Sequence, residues 1–270
     1  MKPPITYYGG KQKLAPKILP LIPEHTLYCE PFFGGGAVFF AKPPSEIEVI
    51  NDTNGELINF FKVIKNSFAE LECEIQSTLH SRKLHAQAEV IYKNSELFTD
   101  IKRAWALWVL ASQSYASKLN GSWGYDRKEN KSGKQLSEKR IAFTKHYSER
   151  LEKAQIECSD ALRVIESRDS KESFFYCDPP YFNSHQGHYK GYSEKDFEKL
   201  LSLLANIKGR FLLSSYPSDI LEKYSKKNGW FTYSLDVALS LASAKNATRT
   251  RKTEMLTANY VVLNSSLFQQ

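Results

Sequence analysis

The stretch FFYCDPPYF, residues 174–182, sets an acid, two prolines and a tyrosine directly after an apolar run. A short apolar run bounded by turn residues predicts a strand in the middle of a sheet. Pro179 and Pro180 lack an N–H and have a fixed φ, so the strand must stop there. Asp178, preceding a proline, is biased toward extended geometry. A carboxylate, two stiff carbonyls and the ring of Tyr181 are thereby presented at the carboxyl edge of a sheet, where ligands bind in open α/β folds. Two further acids, Glu30 and Asp52, end the predicted strands TLYCE (26–30) and EIEVIND (46–52). Asp52 follows Glu30 by 22 residues, close to the spacing of about 20 at which an acid accepts ribose hydroxyls in nucleotide-binding folds. Between them, EPFFGGGAVFF supplies glycines that let backbone approach a ligand, then a helix whose first N–H groups are free. The dinucleotide fingerprint fails, because Phe39 stands where Gly34 and Gly36 need a third small residue. The P-loop fails too, because Ile5 stands where Gly10–Lys11 needs its first glycine. A ligand with a ribose is expected, and neither NAD nor ATP is supported.

These residues need a sheet to hold them. Strand and helix signals alternate over residues 1–62, with the helix NGELINFFKVIK (54–65) after Asp52. They alternate again after 150, through QIECSD, SFFYCDPPY, SEKDFEKLLSLLANI, RFLLSSY and TEMLTANYVVLN. Alternation of this kind predicts an α/β sheet. From 63 to 150 the chain reads as an insertion that is helical, polar and basic, with ALWVLASQSYASKL as its one apolar helix. NGSWGYDRKENKSGKQ (120–135) reads as a loop or hairpin.

The chain of 270 residues, 41% hydrophobic, suits one or two globular domains. Its formal charge of +7 favours an anionic partner, nucleic acid first. Residues 118–150 hold nine Lys or Arg against four Asp or Glu, which concentrates that charge in the insertion. Cys29, Cys73, Cys158 and Cys177 show no Cys-x-x-Cys spacing and read as reduced thiols packed on strands, in a cytoplasmic protein. No apolar stretch approaches the ~20 residues of a membrane span. MKPPITYYGGKQKL has no apolar core of an export signal. His185-x-x-His188 lacks a Cys or acid to complete a metal site, so no metal is expected.

TYYGGKQKL, EPFFGGGAVFF, VIND, CDPPY and TRKTEMLTANY resemble, in this order, the motifs of Dam-type (α-group) DNA adenine-N6 methyltransferases. The resemblance covers most of 1–62 and 150–263. It departs at Tyr7–Tyr8, where Dam enzymes carry Trp-Ala, and leaves 66–150 unmatched. It implies a Rossmann-like methyltransferase sheet, with catalytic segments 1–62 and 151–270 around a mostly helical target-recognition domain, 63–150. It also implies S-adenosylmethionine as cofactor. Lys11 would meet the methionine carboxylate and Asp52 the ribose, with Tyr7 and Phe32 packed on the cofactor and Pro31 and Gly34 shaping its loop. Asp160 would lie near the cofactor adenine, and Glu30 and Asp178 complete the implied cofactor set. In catalysis Asp178 and the Pro179 carbonyl would accept the two N6 protons of a flipped adenine, Pro180 would stiffen the turn, and Tyr181 would stack on the base. Arg251 and Lys252 could meet phosphate, and the loop 181–192, with Tyr192, could cover the base.

The DNA reader is sought in 113–135. Lys118, Arg127, Lys128, Lys131 and Lys134 suit phosphates, while Asn120, Ser122, Trp123, Tyr125 and Arg127 suit base edges or a wedge. Expected partners are double-stranded DNA and a cognate restriction endonuclease. A bacterial or phage-encoded monomer or weak dimer is expected, with no membrane. Three alternatives stay open: RNA adenine, glutamine in a protein, and an inactive fold that only grips DNA. Asp178 favours adenine, since glutamine enzymes carry Asn there and N4-cytosine enzymes usually Ser. The cytosine-C5 route would need a Pro-Cys pair, which the chain lacks.

Overall fold

The computed structural model describes residues 1–7, 9–183, 191–238 and 251–262, the side chains of 236–238 and 251–252 excepted. His185, His188 and most of the 181–192 loop fall outside the described residues, as do the side chains of Arg251 and Lys252. The elements in chain order are α1 (Ala15–Ile18), β1 (Leu27–Glu30), α2 (Ala37–Ala41), β2 (Ile47–Asn51), α3 (Gly55–Asn66) and α4 (Phe68–Gln76). Then come α5 (Arg82–Lys93), α6 (Asp100–Gln113), α7 (Lys131–Ala142), α8 (His146–Leu151), β3 (Gln155–Glu157) and α9 (Ala161–Arg168). The chain ends with β4 (Ser173–Cys177), α10 (Glu194–Leu204), β5 (Arg210–Ser215), α11 (Asp219–Asn228), β6 (Phe231–Ala238) and β7 (Arg251–Ala258). Among the described residues, seven strands form one mixed sheet, an α/β architecture as the sequence predicts. The chain divides into two units, Met1–Leu19 with Phe33–Asp160 and Pro20–Phe32 with Ala161–Gln270.

The first unit contributes β2 and β3, paired in parallel with Ile50 opposite Ile156. Helix α3 starts where the Asn54 side chain accepts from the Glu56 and Leu57 N–H groups, satisfying two orphan donors of the first turn. Rings of Phe33, Phe39, Phe40 and Phe61 interlock behind it, Phe33 and Phe61 only 4.8 Å apart. Helix α6 is apolar nearly all round and sits amid α3, α4, α5 and α7, with Trp108 wholly buried. Truncating such a core Trp costs about 3–5 kcal/mol. Glu48 accepts from Lys42 (2.6 Å) and from both Arg150 amino nitrogens, all three side chains buried. Burial pushes the Glu48 carboxyl up, but the bonds from Arg150 and Lys42 outweigh it and leave it below its ordinary value.

The second unit carries the parallel strands β1, β4 and β5, then β7 and β6 running antiparallel. All five residues of β4 are buried, which explains its unbroken apolar run: a strand covered on both faces needs no polar alternation. Helix α10 opens on a capping box, Ser193 and Asp196 each bonding the other's backbone N–H.

Three details differ from the sequence reading. The apolar helix starts at Asp100 and stops at Gln113 instead of running to Leu119, and Ala116 and Ser117 take φ of 56° and 55°. The helix stops because side-chain bonds from distant residues hold Gln113 and Ser114. The last part of 120–135 is not loop, since α7 begins at Lys131 with the Ser132 N–H on Asp126 (2.5 Å). Of the cysteines, Cys29 and Cys177 are buried in strands, whereas Cys73 and Cys158 are exposed.

Candidate active site and DNA-binding segment

In the first unit, β2 delivers Asp52 into a turn where backbone holds its carboxylate. The Gly34 N–H donates to Oδ2 and the Asn54 N–H to Oδ1, each at 2.9 Å. Gly34 reaches this position with φ of +50°, a conformation that costs glycine nothing. At Gly36, φ +68°, an added Cβ would lie 2.4 Å from the Phe33 ring, so no side chain fits. The Tyr7 ring lies against Gly34, where a Cβ would meet it at 3.3 Å. Burial pushes the Asp52 carboxyl above its ordinary value, and the backbone donors of Asn54, Gly34 and Thr53 only partly offset this. A carboxylate has about four lone-pair sites, so these three donors leave Asp52 able to accept from a further one. Lys11 is 7% exposed, its ammonium 3.3 Å from the Gly9 carbonyl. Buried Asn51 exchanges two bonds with Ser159, donating to its carbonyl (3.0 Å) and accepting from its N–H (2.9 Å). That clamp fixes the turn carrying exposed Asp160 to the end of β2. Tyr7, Gly34 and Asp52 are thus drawn together, and Asn51, which sequence reasoning passed over, ties Asp160 to the same strand end.

In the second unit, buried Glu30 accepts from the Tyr28 hydroxyl (2.6 Å). Pro31 is buried beside it, and the half-buried Phe32 ring stands edge-on to Tyr192, 6.4 Å between centroids. At the end of β4, Asp178 is partly exposed and Pro179 buried. The Tyr181 hydroxyl lies 3.1 Å from Asp178 Oδ1 and makes a shorter bond to Glu254 Oε1. Its ring packs on Tyr216, 4.4 Å between centroids and inclined by 60°. Burial, together with the charges of Asp178 and Glu254, holds the Tyr181 phenol far above its ordinary range, so it stays protonated. Burial likewise pushes the Cys177 thiol up, which makes it a packing group and not a nucleophile. Glu254 and Tyr216 escaped the sequence reading as site residues. Glu254 stands inside TRKTEMLTANY, but nothing in that string names its partner 73 residues away.

The basic segment lies in the first unit as a short tongue between α6 and α7. One antiparallel bridge joins Ser114 to Trp123. Gln113 receives the Ser81 N–H (3.1 Å) and the Trp123 indole N–H (3.3 Å) on Oε1 and donates to the Leu79 carbonyl (3.0 Å). His85 lies 2.8 Å from the Ser114 hydroxyl, and burial keeps its imidazole below its ordinary pKa. Trp123 stacks between His80 (4.8 Å) and Tyr125 (5.5 Å), with the Arg82 guanidinium 4.8 Å above it. Half-buried Trp123 is therefore a spacer in a stack, while Tyr125, 49% exposed, is its open end. Asn120, Arg127, Lys128 and Lys131 are exposed, Lys118 is half-buried, and Lys131 pairs with Glu129 at 2.9 Å. Tyr115 beside the bridge is 62% exposed. His80 and Arg82 were not foreseen, because the stack joins residues more than forty positions apart. Among the described residues, no group of three His, Cys, Asp or Glu side chains could hold a metal, and no helix is long and apolar enough to cross a membrane.

Comparison with known proteins gives the class, the methyltransferases that act on DNA. Residues 7–255 match the D12 class N6 adenine-specific DNA methyltransferase family, and the chain belongs to that family. It is an adenine-specific DNA methyltransferase, and its methyl donor is S-adenosylmethionine. It is 27% identical over 285 residues to the type II methyltransferase M1.LlaDCHI of Lactococcus lactis subsp. cremoris, covering 96% of each chain. It is 26% identical over 221 residues to the DNA N-6-adenine-methyltransferase of Escherichia phage P1, 73% of this chain but 27% of that longer protein. To the DNA adenine methylase of Vibrio cholerae serotype O1 it is 27% identical over 188 residues, covering 66% of this chain and 64% of the relative.

Proposed function

We propose that the chain methylates N6 of an adenine extruded from double-stranded DNA at a specific sequence, with Asp178 and the Pro179 carbonyl accepting the two amine protons. The observation that carries this is Asp178 at the end of buried β4, partly exposed and held from the side by the Tyr181 hydroxyl. The N6 lone pair is delocalised into the ring, so the amine is a poor nucleophile. Two acceptors on its protons localise that pair and stabilise the positive charge that grows on nitrogen. Pro179 and Pro180 keep the carbonyl acceptor still as the charge develops.

The residues fit the cofactor. Asp52 has spare lone pairs on a part-exposed carboxylate, the glycine turn at Gly34 and Gly36 brings bare backbone to it, and Lys11 supplies a cation for a carboxylate. S-adenosylmethionine supplies an electrophilic methyl group on a positively charged sulfur. Asp52 would accept ribose hydroxyls, Lys11 would bind the methionine carboxylate, and Tyr7, Glu30, Pro31, Phe32, Gly34 and Asp160 would complete its surroundings. Tyr181 offers a ring against which the extruded base stacks, and the insertion 63–150, through its tongue, reads the duplex. Type II methyltransferases among the relatives support a restriction endonuclease as partner, and a cytoplasmic monomer or weak dimer is the form proposed.

The test is to incubate the purified protein with unmethylated genomic DNA and S-adenosylmethionine and to map modified bases by single-molecule sequencing. N6-methyladenine in one short sequence context is expected. Methylation of RNA only, or of no nucleic acid, would refute the reading.

A further inference from the structure

Arg127 and Lys128 stand exposed on the tongue's loop, whereas Arg82 lies outside the tongue, at the first position of α5, and is held in place. Its backbone is anchored next door, where the Ser81 N–H donates to Gln113 Oε1 at 3.1 Å and the Ser81 hydroxyl accepts from the Leu84 N–H. The same Gln113 oxygen receives the Trp123 indole N–H at 3.3 Å, so the start of α5 and the tongue share one fastening. His80 adds a second, its ring stacked on Trp123 and its Nε2 3.1 Å from the Gly124 carbonyl. The Arg82 guanidinium carbon then lies 4.8 Å from the Trp123 ring centre and 5.6 Å from that of Tyr125, over two rings inclined by only 15°. Contact with ring faces leaves the N–H groups of a guanidinium able to donate elsewhere. Among the described residues those N–H groups make no hydrogen bond, and no carboxylate pairs with exposed Arg82.

We propose that Arg82 is a further DNA contact, a pre-oriented fork that donates two N–H bonds to one doubly accepting edge of the duplex, either a phosphate or the O6 and N7 of a guanine. The inference rests on the reading that the tongue meets DNA, and it adds to that surface a residue of α5 outside the segment 113–135. A long exposed cation loses rotamer freedom when it binds, which opposes association. The two rings and the fastened backbone already restrict Arg82, so less freedom is lost when an acceptor arrives. Both acceptors match the planar fork of a guanidinium, and the single ammonium of a lysine matches neither.

The experiment measures binding by fluorescence anisotropy for wild type, Arg82→Ala, Arg82→Gln and Arg82→Lys, with a labelled duplex that carries the methylated sequence found by mapping. Duplexes in which each base pair in and beside that sequence is changed singly extend the set, over a salt series, and the thermal midpoint of every variant is recorded. Arg82→Ala and Arg82→Gln are expected to weaken binding of the mapped duplex on the order of ten- to a hundredfold. Their midpoints should stay within about 2 °C of wild type, as the residue is exposed. Arg82→Lys, which keeps the charge and loses the fork, should recover only part of the loss. A guanine acceptor shows as discrimination lost at one base pair, and a phosphate acceptor as equal loss on every duplex with a flatter salt dependence. Wild-type affinity and preference in Arg82→Ala overturn the proposal. So does an Arg82→Lys variant equal to wild type, since a point charge would then suffice. A loss of affinity that rises and falls with the midpoint across the three Arg82 variants marks a purely structural arginine and overturns it as well. Failure of the underlying reading shows separately, as wild-type DNA affinity, preference and salt dependence in Lys128→Gln and Arg127→Ala, which leave the ring stack intact.

Discussion

Asp178 and the basic tongue, the two regions proposed to meet DNA, are built in opposite ways. Asp178 ends a strand with all five residues buried, is followed by two prolines and has a tyrosine hydroxyl at its side. The tongue offers exposed Arg127 and Lys128 on a loop held mainly at its root, where Gln113 and His85 grip Trp123 and Ser114. Chemistry needs an acceptor that does not move as charge develops, whereas phosphate contact tolerates long flexible cations. Substitutions should therefore be steep and local at the strand ends, and shallow and salt-dependent on the tongue.

The steepest expected effect is Asp178→Ala, which should lower single-turnover methylation on the order of 10²–10³-fold. Cofactor affinity by calorimetry should stay nearly intact, because the proposed partner of Asp178 is the target amine. A variant within a few fold of wild type would erase the contrast between the two regions.

Asp52→Ala comes next and acts on binding. Losing a charge-assisted pair of bonds should weaken the cofactor by about 2–3 kcal/mol. Acid should imitate the substitution, since only the ionised carboxylate accepts from two hydroxyls. Burial raises the Asp52 pKa above its ordinary value of 3.8. Cofactor affinity should accordingly fall as pH drops through a pKa higher than that of an exposed aspartate, and an Asp52→Asn variant should lack this step. Calorimetry across the acid range tests both, and unchanged affinity in Asp52→Ala would remove the residue from the ribose site.

These acids were legible in the sequence because local rules fix them. The apolar run stopped by Pro-Pro predicts β4 and Asp178, and EIEVIND predicts β2 ending at Asp52, without any distant contact. The tongue was legible only as composition. Where α6 stops depends on Gln113 and Ser114 meeting Ser81 and His85, about thirty positions away, and no propensity encodes that meeting. Ala116 and Ser117 at positive φ are likewise unreadable, since both residues disfavour it and tertiary contacts must impose it. Asn51 and Glu254 were missed for the same reason, each being defined by a partner far along the chain.

A third, smaller effect probes the root of the tongue. Trp123→Ala breaks the stack of His80, Trp123 and Tyr125 and removes the nearer of the two rings under Arg82. Stacking of this kind is worth about 0.5–1.5 kcal/mol beyond area burial. DNA affinity should fall in company with a lower thermal midpoint. Arg127→Ala should leave the midpoint unchanged and relax preference at one base pair by about 1–3 kcal/mol. If Trp123→Ala instead relaxes sequence preference at full stability, the indole reads the DNA itself.

The smallest effect separates two lysines that the sequence treats alike. Lys128 is exposed, and Lys131 is exposed but ion-paired with Glu129 at 2.9 Å, both partners 67% exposed. Such an exposed pair contributes little to stability, yet it cancels part of the charge that Lys131 offers a phosphate. Each phosphate contact contributes about 0.9 to the slope of log affinity against log salt. Lys128→Gln should flatten that slope by close to one contact, for cognate and unrelated DNA alike, and Lys131→Gln by less. Glu129→Gln frees Lys131 and should steepen the slope. Fluorescence anisotropy with one labelled duplex over a salt series reads all three variants. Equal flattening by the two lysine variants, with no change in Glu129→Gln, would mean that the pair opens on DNA and that the tongue binds as a loose cationic arm.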